Sequence, residues 1–499
     1  MTRTLFQSYV AGIKDKSSGE DYSTILRYFF PELITALILY SVLNIIDATF
    51  IAHLKSTSMY ATQGVTNTLI HFITKIAEGL SVGTIVVCGQ YNGMGDFKHV
   101  GRAAITALWI TFFTGIFIAG ILFFGAHIIY SLYDVPEKMI ELGTSFLRMR
   151  ALGIFFAFMY FALIGFLRGI KNTILPMQLF IMGGIIFVFF DYVLIFGKWG
   201  FPELRLQGSA LASVIQYAVM FIVALVYIIS DKETRKYGIR IIKSLDYAVA
   251  REIICLSWPV MLDKATLAAA KIWLAMLIAP MGKCALASFT VIKDMEQFAF
   301  VPAIACAQII TFLVSNDYSI HNWEGIKSNI KKMIFLASIV VFGILLIFSL
   351  WPQPIIQFFD KKGVFTSFAS VAFPVLSVLV FFDLLQLILS SALRGASGVK
   401  TVMWVRLITC IGFFMPVSYA ISILPMGNVM IQFIMVYGSF YIGNGLMSIY
   451  YIHRFRGEAW KYQSHIKPYS TTLKVFDDKN FTTRDHKIST DVKNTPASV

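Results

Sequence analysis

The sequence predicts an all-α membrane protein with twelve transmembrane helices, arranged as two tandem six-helix bundles related by a pseudo-twofold axis along the membrane normal. Three observations predict this fold: the composition, the recurrence of apolar stretches of bilayer length, and an internal repeat. Of the 499 residues, 57% are hydrophobic and only 14% are charged, whereas soluble domains contain about 25% charged residues. This composition excludes a water-soluble enzyme.

Apolar stretches that are long enough to span a bilayer follow one another along the chain. About 20 apolar residues cross the hydrocarbon core as a helix, and segments 103–131, 206–229 and 333–351 contain no Asp, Glu, Lys or Arg at all. The second, seventh and eighth segments contain internal charges. We predict twelve helices, over 25–52, 59–90, 101–128, 139–167, 172–197, 206–230, 252–279, 283–315, 330–351, 364–393, 400–424 and 428–453.

The distribution of Lys and Arg predicts the orientation. The loops after even-numbered helices hold about fifteen of them and those after odd-numbered helices about seven. Basic loops face the cytoplasm, so both termini are expected there, in a membrane that short loops identify as a bacterial inner membrane. The predicted parts are a cytoplasmic segment 1–24, an N-lobe 25–230, a linker 231–251, a C-lobe 252–455 and a disordered cytoplasmic tail 456–499. The net charge of +14 is attributed to these loops and not to nucleic-acid binding.

The two halves repeat at a shift of 226 residues. Phe166-Leu167-Arg168-Gly169 in the first half is matched by Ala392-Leu393-Arg394-Gly395 in the second, and the same shift carries Phe97 to Trp323 and Asp134 to Asp360. Such duplication is typical of transporters, in which one bundle rocks against the other and gives alternating access to a cavity between them. Because Arg168, Arg394, Asp134 and Asp360 occur in both halves, we interpret them as structural residues of the loop ends.

Three aspartates lie deep inside otherwise apolar spans. An ionisable residue at mid-membrane costs about 2.5–3.5 kcal/mol, so Asp47, Asp191 and Asp383 are functional candidates. Asp47 shares a helix face with Tyr40 and Asn44, and Asp383 shares one with Gln386 and Ser390. None of the three aspartates has a counterpart at the 226-residue shift, which favours a functional over an architectural role.

The other charges within the spans have neighbours of opposite sign. Lys75 and Glu78 are three residues apart on the second helix, so an ion pair is expected. In the seventh and eighth helices we expect mutual compensation or, alternatively, a cavity-lining role; these charges are Asp263, Lys264 and Lys271, and Lys293, Asp294 and Glu296.

In the order and spacing of several motifs, the chain resembles the multidrug and toxic compound extrusion (MATE) transporters over roughly residues 25–455. The motifs are Asn44-Ile45-Ile46-Asp47-Ala48-Thr49, Gly89-Gln90-Tyr91-Asn92-Gly93, Gly165-Phe166-Leu167-Arg168-Gly169, Asp191-Tyr192-Val193-Leu194 and Ala392-Leu393-Arg394-Gly395.

The resemblance implies export of amphipathic, often cationic, organic compounds in exchange for H+ or Na+, with no other cofactor and no ATPase subunit. It implies that Asp47 and Asp191 form the cation site, which is the one place where Na+ would bind, and that Asp383 contributes to the site of the C-lobe. From the shared helix faces we add Asn44 to the cation site, and Gln386 and Tyr40 to the substrate cavity. Two positions depart from the family pattern: Phe187 stands where an Asn is frequent, and Thr266-Leu267-Ala268 stands where a glutamate is usual.

The sequence bears on two other functions, a lipid flippase and a membrane enzyme. A flippase for lipid-linked precursors, from the same superfamily, usually has more spans and a cationic cavity; Lys264, Lys271 and Lys293 keep this alternative open. A membrane enzyme needs clustered His, Asp or Cys. The eight histidines are scattered, and the five cysteines occur singly inside apolar segments, where they are interpreted as small hydrophobic residues. We therefore predict that the protein is not an enzyme.

Overall fold

The computed structural model describes residues 19–132, 136–239, 246–360, 363–425 and 427–461. The regular elements throughout these ranges are helices. By its internal contacts the chain divides into Met1–Gln463 and Ser464–Val499, and the second unit lies outside the described residues. The predicted lobe boundaries and linker are not tested by this division and stay predictions; residues 240–245 of the linker lie outside the described part.

Eleven helices of the described part are long and apolar enough to cross a bilayer, and a twelfth span is formed by three consecutive helical pieces. The predicted count of twelve is thereby confirmed. Numbered in chain order, the spans are 1, Tyr22–Leu37 with Ile38–Val42 and Leu43–His53; 2, Thr57–Gly93; 3, Phe97–Leu132; 4, Glu137–Gly169; 5, Ile174–Phe196; 6, Leu206–Ser230; 7, Tyr247–Ile278; 8, Lys283–Ser319; 9, Trp323–Leu350; 10, Thr366–Gly395; 11, Val399–Thr409 with Cys410–Phe414 and Met415–Ile423; and 12, Val429–Arg456.

Short elements fill some of the connections. They are the 3-10 turns Thr234–Tyr237 and Ala279–Met281 and the helix Pro352–Phe359. Several spans begin at a polar cap, because a side-chain oxygen there accepts a hydrogen bond from an otherwise unpaired backbone N–H. Asp21, Asp246 and Asn322 cap spans 1, 7 and 9 in this way. Span 5 ends at Gly197, which adopts a left-handed conformation with φ of 62°.

Span 1 is interrupted by a π-helical turn over Ile38–Val42. In this turn the N–H of Leu43 donates to the carbonyl of Ile38, five residues back. A π turn carries an extra residue and is frequently found at functional sites. The polar residues of span 1 lie on both sides of it, with Glu32 before the turn and Asp47 after it.

The duplication is visible in equivalent close packing in the two halves. Gly169 at the end of span 4 lies against span 2, where an added Cβ would come within 2.8 Å of the Cβ of Cys88. Gly395 at the end of span 10 lies against span 8, where a Cβ would come within 2.6 Å of the carbonyl of Thr311. The 226-residue shift also carries the first residue of span 3 to the first residue of span 9. Asp134 lies outside the described residues.

The two halves meet mainly through spans 2 and 8. Span 2 packs against spans 7 and 8, and span 8 packs against spans 1 and 2. Side-chain hydrogen bonds join the halves at one end of these helices: Gln90 Nε2 donates to Ser397 Oγ at 2.8 Å, and Asn92 Nδ2 donates to Asn316 Oδ1 at 2.8 Å. Asn316 Nδ2 also donates to the carbonyl of Gly169 at 3.0 Å. This joined end is the one that the basic loops predict to be cytoplasmic.

Glu20, just before span 1, connects the halves at the same end. Its carboxylate accepts from Lys171 Nζ at 2.9 Å, and its carbonyl accepts from Lys332 Nζ at 2.8 Å. Its backbone N–H donates to Asn329 Oδ1 at 2.9 Å. Although burial acts to lower the pKa of Lys171, the hydrogen bond and charge of Glu20 raise it above its usual value. The segment before span 1 thus bridges span 9 and the turn after span 4.

The first residues after span 12 are packed against the protein. The side chain of Trp460 is fully buried, with its ring centroid 5.3 Å from that of Trp323 and 5.2 Å from that of Phe455. The described part of the predicted tail, up to residue 461, therefore differs from the expected disorder, because an indole at this position buries a large apolar surface. Residues 462–499 lie outside the described part.

Candidate functional site

Asp47 on span 1 and Asp191 on span 5 are buried carboxylates whose charges interact, and we call them the carboxylate pair. Asp47 is 3% exposed and accepts a hydrogen bond from Ser209 Oγ at 2.7 Å. Asp191 is fully buried, and neither of its carboxylate oxygens has a hydrogen-bond partner among the described residues. The two carboxylates are close enough to repel each other electrostatically. The pairing that the resemblance implies is therefore present in the geometry, and its role stays a prediction.

Asn44 and Tyr40 were predicted on the same face of span 1 as Asp47, and the structure describes the side chain of Asn44 only. Asn44, one turn before Asp47, is half-buried and lines the same cavity as Asp47. The backbone of Tyr40 is part of the π turn, but its side chain lies outside the described part of the structure. The polar stripe is thus seen for Asn44 and Asp47 only.

A cavity of about 100 Å³ borders Asp47, the first member of the carboxylate pair. It is large enough for a few water molecules or an ion, but smaller than the 300–1,000 Å³ typical of sites for drug-sized ligands. We expected a vestibule shared by the two lobes, whereas the residues that line this cavity all belong to spans 1–6. Among them are Asn44, Asp47, Lys75, Glu78, Arg150 and Phe187.

Phe187, at the position where the family pattern frequently has an Asn, makes this part of the cavity apolar. Its side chain is buried and lines the cavity one turn before Asp191. An apolar ring at this position supplies no oxygen ligand to a cation.

In the second half, Asp383 on span 10 accepts a hydrogen bond from Asn444 Nδ2 of span 12 at 3.0 Å. Lys271 of span 7 attracts this carboxylate without forming an ion pair. Gln386 and Ser390, predicted on the same face, are both buried. The structure therefore places the predicted residues of span 10 together, at a site separate from the carboxylate pair.

Glu296 on span 8 was expected to be compensated by neighbouring charges or, alternatively, to line a cavity, and the structure gives it a site of its own. Its side chain is buried, and its Oε2 accepts from the hydroxyls of Tyr441, at 2.6 Å, and Tyr437. The expected compensation within span 8 is confirmed for Lys293, which pairs with Asp294 at 3.3 Å, whereas the hydrogen-bond partners of Glu296 are the two tyrosines. The signal that could have identified this site is the spacing of the two tyrosines, four residues apart on span 12.

Asp263 and Lys264 of span 7 are compensated by residues of other spans and not by each other. Asp263 accepts from Arg394 at 2.6 Å and from Arg406, and Lys264 donates to Glu78 of span 2. The expectation of mutual compensation within span 7 is wrong, because adjacent helix residues point about 100° apart. In span 2, Lys75 does pair with Glu78 at 2.7 Å, as predicted.

The two duplicated arginines are held inside the protein. Arg168 forms a two-pronged ion pair with Glu32 of span 1, with nitrogen–oxygen distances of 2.8 and 2.7 Å. Arg394 pairs with Asp263 of span 7. These contacts connect the fourth span of each half to its first span, which supports the structural interpretation of both arginines.

Comparison with known proteins identifies a family. The MatE family model matches residues 33–193 and 259–420. A probable multidrug resistance protein, YoeA of Bacillus subtilis, is 24% identical over 361 residues, covering 71% of this chain and 77% of its own. The probable multidrug resistance protein NorM of Thermotoga maritima is 21% identical and covers 75% and 80%.

Solved structures show the same fold. A Vibrio cholerae MATE transporter superposes with a TM-score of 0.81 at 16% identity, covering 88% of this chain and 98% of its own. An outward-facing multidrug resistance MATE family transporter superposes with a TM-score of 0.80 at 18% identity and covers 88% and 96%.

Proposed function

Because the chain belongs to the MatE family of multidrug efflux transporters, we propose that it is a cation-coupled antiporter whose coupling site is the carboxylate pair. It exports amphipathic, often cationic, organic compounds in exchange for H+ or Na+. The observation that supports this proposal is the state of Asp191, a fully buried carboxylate without a hydrogen-bond partner among the described residues, beside a second carboxylate.

Such a pair is suited to take up a cation. Two ionised carboxylates in a low-dielectric site repel each other, and a proton or Na+ shared between them removes that cost. A cation that enters from outside would therefore bind here, and it would compete with a cationic guest for the same negative charge. Each positive charge that moves inward down 100 mV supplies about 2.3 kcal/mol, which corresponds to a gradient of nearly fifty-fold for a neutral exchanged compound.

The contacts between the halves support alternating access. Hydrogen bonds between the halves occur at the end where Gln90 meets Ser397 and Asn92 meets Asn316. With both termini cytoplasmic, this is a state closed toward the cytoplasm. Transport requires that these bonds break when the halves rock apart at that end.

The π turn of span 1 supplies a place where the helix can change shape. It lies between the buried ion pair of Glu32 and the carboxylate pair. Occupation of the pair by a cation would change the force on the part of span 1 after the turn. We infer that this part bends or shifts and weakens the binding of the guest.

The test is efflux from proteoliposomes under separately imposed proton and sodium gradients. Asp47→Asn and Asp191→Asn should each abolish gradient-driven efflux of a cationic dye, with at least a tenfold loss of rate. Asp294→Asn is the matched control, because Asp294 is exposed and pairs with Lys293; its efflux should stay within twofold of the wild type.

The gradient that drives wild-type efflux identifies the coupling ion. Undiminished gradient-driven efflux in both variants of the carboxylate pair would overturn the assignment. Movement of lipid-linked precursors across the vesicle membrane, without dye efflux, would favour the flippase alternative.

A further inference from the structure

The segment between spans 6 and 7 reaches the contact that joins the two halves. Tyr237, the last residue of the 3-10 turn Thr234–Tyr237, donates from its hydroxyl to Asn92 Oδ1 at 3.2 Å. Asn92 in turn donates to Asn316 of the second half. Resting on the proposed function, we propose that Tyr237 is a positioning residue for the contact between Asn92 and Asn316, and that it thereby keeps the joined end of the molecule closed.

These hydrogen bonds form a chain with a fixed direction, which we call the relay. Asn316 Nδ2 donates to the backbone carbonyls of Gly169, at 3.0 Å, and Phe312, at 2.8 Å. Since a carbonyl oxygen can only accept, the Asn316 amide has to turn its Oδ1 toward Asn92, which donates from Nδ2. The Oδ1 of Asn92 then needs a donor, and the hydroxyl of Tyr237 supplies it.

The ring of Tyr237 is packed against the first half. Tyr237 is 4% exposed, and its ring lies nearly perpendicular to those of Phe97 and Phe166, with centroid distances of 5.6 and 5.5 Å. Its carbonyl lies so close to span 3 that a Cβ at Gly101 would come within 1.9 Å of it. The hydroxyl therefore reaches Asn92 from a ring whose position is set by its neighbours.

The turn that carries Tyr237 is anchored to the end of span 6. Thr234 Oγ1 donates to the carbonyl of Ile228 at 2.7 Å, and the N–H of Thr234 donates to Asp231 Oδ2 at 3.2 Å. Burial raises the pKa of Tyr237 to about 12, so its hydroxyl stays protonated at neutral pH and remains a donor. The first part of the predicted linker is thus attached to the first half, and it supports the relay from there.

The relay lies at a close approach of spans 2 and 8. A Cβ at Gly93 would come within 2.2 Å of the carbonyl of Asn316, so no side chain separates the helices here. The hydrogen bonds that join Asn316 to Asn92 and Gly169 have to break when this end opens. Without the Tyr237 hydroxyl, Asn92 Oδ1 would lose its donor. In the open state water can replace this donor, so the closed state is destabilised more, because an unpaired polar atom is costly where water is excluded.

The experiment measures how often the joined end opens, from the alkylation rate of a cysteine at position 397. Ser397 is 4% exposed and accepts from Gln90 of the other half, so a maleimide reaches this position only after the halves separate. The reporter is Ser397→Cys in the full-length protein without other cysteines, purified in lipid nanodiscs. Tyr237→Phe keeps the ring and should raise the alkylation rate about threefold, which corresponds to about 0.7 kcal/mol and to the net contribution of one neutral hydrogen bond.

Asn92→Ala separates positioning from packing. This variant should accelerate alkylation at least as much as Tyr237→Phe, because it removes both hydrogen bonds of the amide. If Tyr237 acts through Asn92, adding Tyr237→Phe to Asn92→Ala should bring no further increase. Tyr318→Phe is the matched control, because it also removes the hydroxyl of a buried tyrosine at this end, one that donates to the carbonyl of Lys461 at 3.0 Å within the second half. Its alkylation rate should equal that of the reporter protein.

An unchanged alkylation rate in Tyr237→Phe would overturn the proposal. The same acceleration with and without Asn92 would overturn it as well, since Tyr237 would then act by packing alone. If Asn92→Ala accelerates alkylation and Tyr237→Phe does not, the closed-state assignment of the proposed function stands and only the role of Tyr237 fails. If neither variant accelerates alkylation, the closed-state assignment fails too. Coupling at the carboxylate pair is tested separately by efflux, because the alkylation measurement uses no ion gradient.

Discussion

Among the contacts of the first half, we expect the loss of the buried ion pair between Glu32 and Arg168 to lower the stability of the protein most. Their side chains are 1% and 9% exposed, and the two contacts are 2.8 and 2.7 Å long. Glu32→Gln would remove the carboxylate from a buried two-pronged ion pair, and breaking a buried ion pair from one side costs about 3–5 kcal/mol. Because the entropy of unfolding grows with chain length, each kcal/mol lost from the free energy of unfolding lowers Tm by about 1–2 °C in a chain of this size. We expect Tm to fall by about 5 °C.

The assay is thermal unfolding in detergent with Glu324→Gln as the control. Glu324 also pairs with a basic residue, Lys327 at 3.1 Å, but it is 74% exposed, so its loss should cost about 0–1 kcal/mol. The double variant Glu32→Gln with Arg168→Met should recover most of the loss, since it leaves no unpaired charge. A Tm change for Glu32→Gln no larger than that of the control would refute the reasoning.

The remaining predictions concern the two ends of the molecule. Asn92 and Asn316 are hydrogen-bonded at 2.8 Å, so cysteines at these two positions, in a variant without other cysteines, should be cross-linked by a short bismaleimide. The cross-link should block efflux, because it holds the halves together at this end. Efflux that persists after complete cross-linking would contradict the closed-state assignment. Asp360 accepts from the backbone N–H and hydroxyl of Thr366. Although desolvation acts to raise its pKa, these hydrogen bonds hold the pKa below the usual value. The stabilisation is therefore present above about pH 4 and is lost as the pH falls through the lower folded-state pKa. Asp360→Asn should lower Tm at pH 7, and the difference from the wild type should shrink as the pH falls below about 4. A difference that stays constant over this pH range would contradict this. Trp460→Ala should cost about 3–5 kcal/mol and expose the end of span 12 to proteolysis; unchanged proteolysis would contradict the packing.

The sequence was sufficient to predict the spans and the repeat, because both are local or periodic signals. The break in span 1 was not predicted, since Ile38–Val42 is as apolar as its neighbours and a π turn has no distinct composition. The helix face of Asn44 and Asp47 followed from the helical period alone. That Asp191 lies beside Asp47 did not follow from the period, and it was implied by the family resemblance.

Partners across spans could not be predicted, because they depend on how the helices pack. Lys264 stands next to Asp263 in the chain, yet it donates to Glu78 of span 2. Glu296 seemed compensated by neighbouring charges, but its partners are Tyr437 and Tyr441 from a helix about 140 residues further on. Sequence proximity of opposite charges is therefore a weak guide to pairing inside a helical membrane protein.

The two halves share their buried arginine pairs but not their carboxylate sites, and this contrast separates architecture from function. In each half an arginine at the end of the fourth span pairs with an acid on the first span, as Arg168 does with Glu32 and Arg394 with Asp263. The acids are not at the repeat shift: 263 − 226 is 37, five residues from Glu32. Since the pairing was kept while the position of the acid changed, it is the contact between spans that the fold requires. Asp47 and Asp191 have no acidic counterparts at the 226-residue shift, where Trp273 and Val417 stand. The repeated architecture therefore does not require them, and a buried charge that the architecture does not require is expected to serve transport.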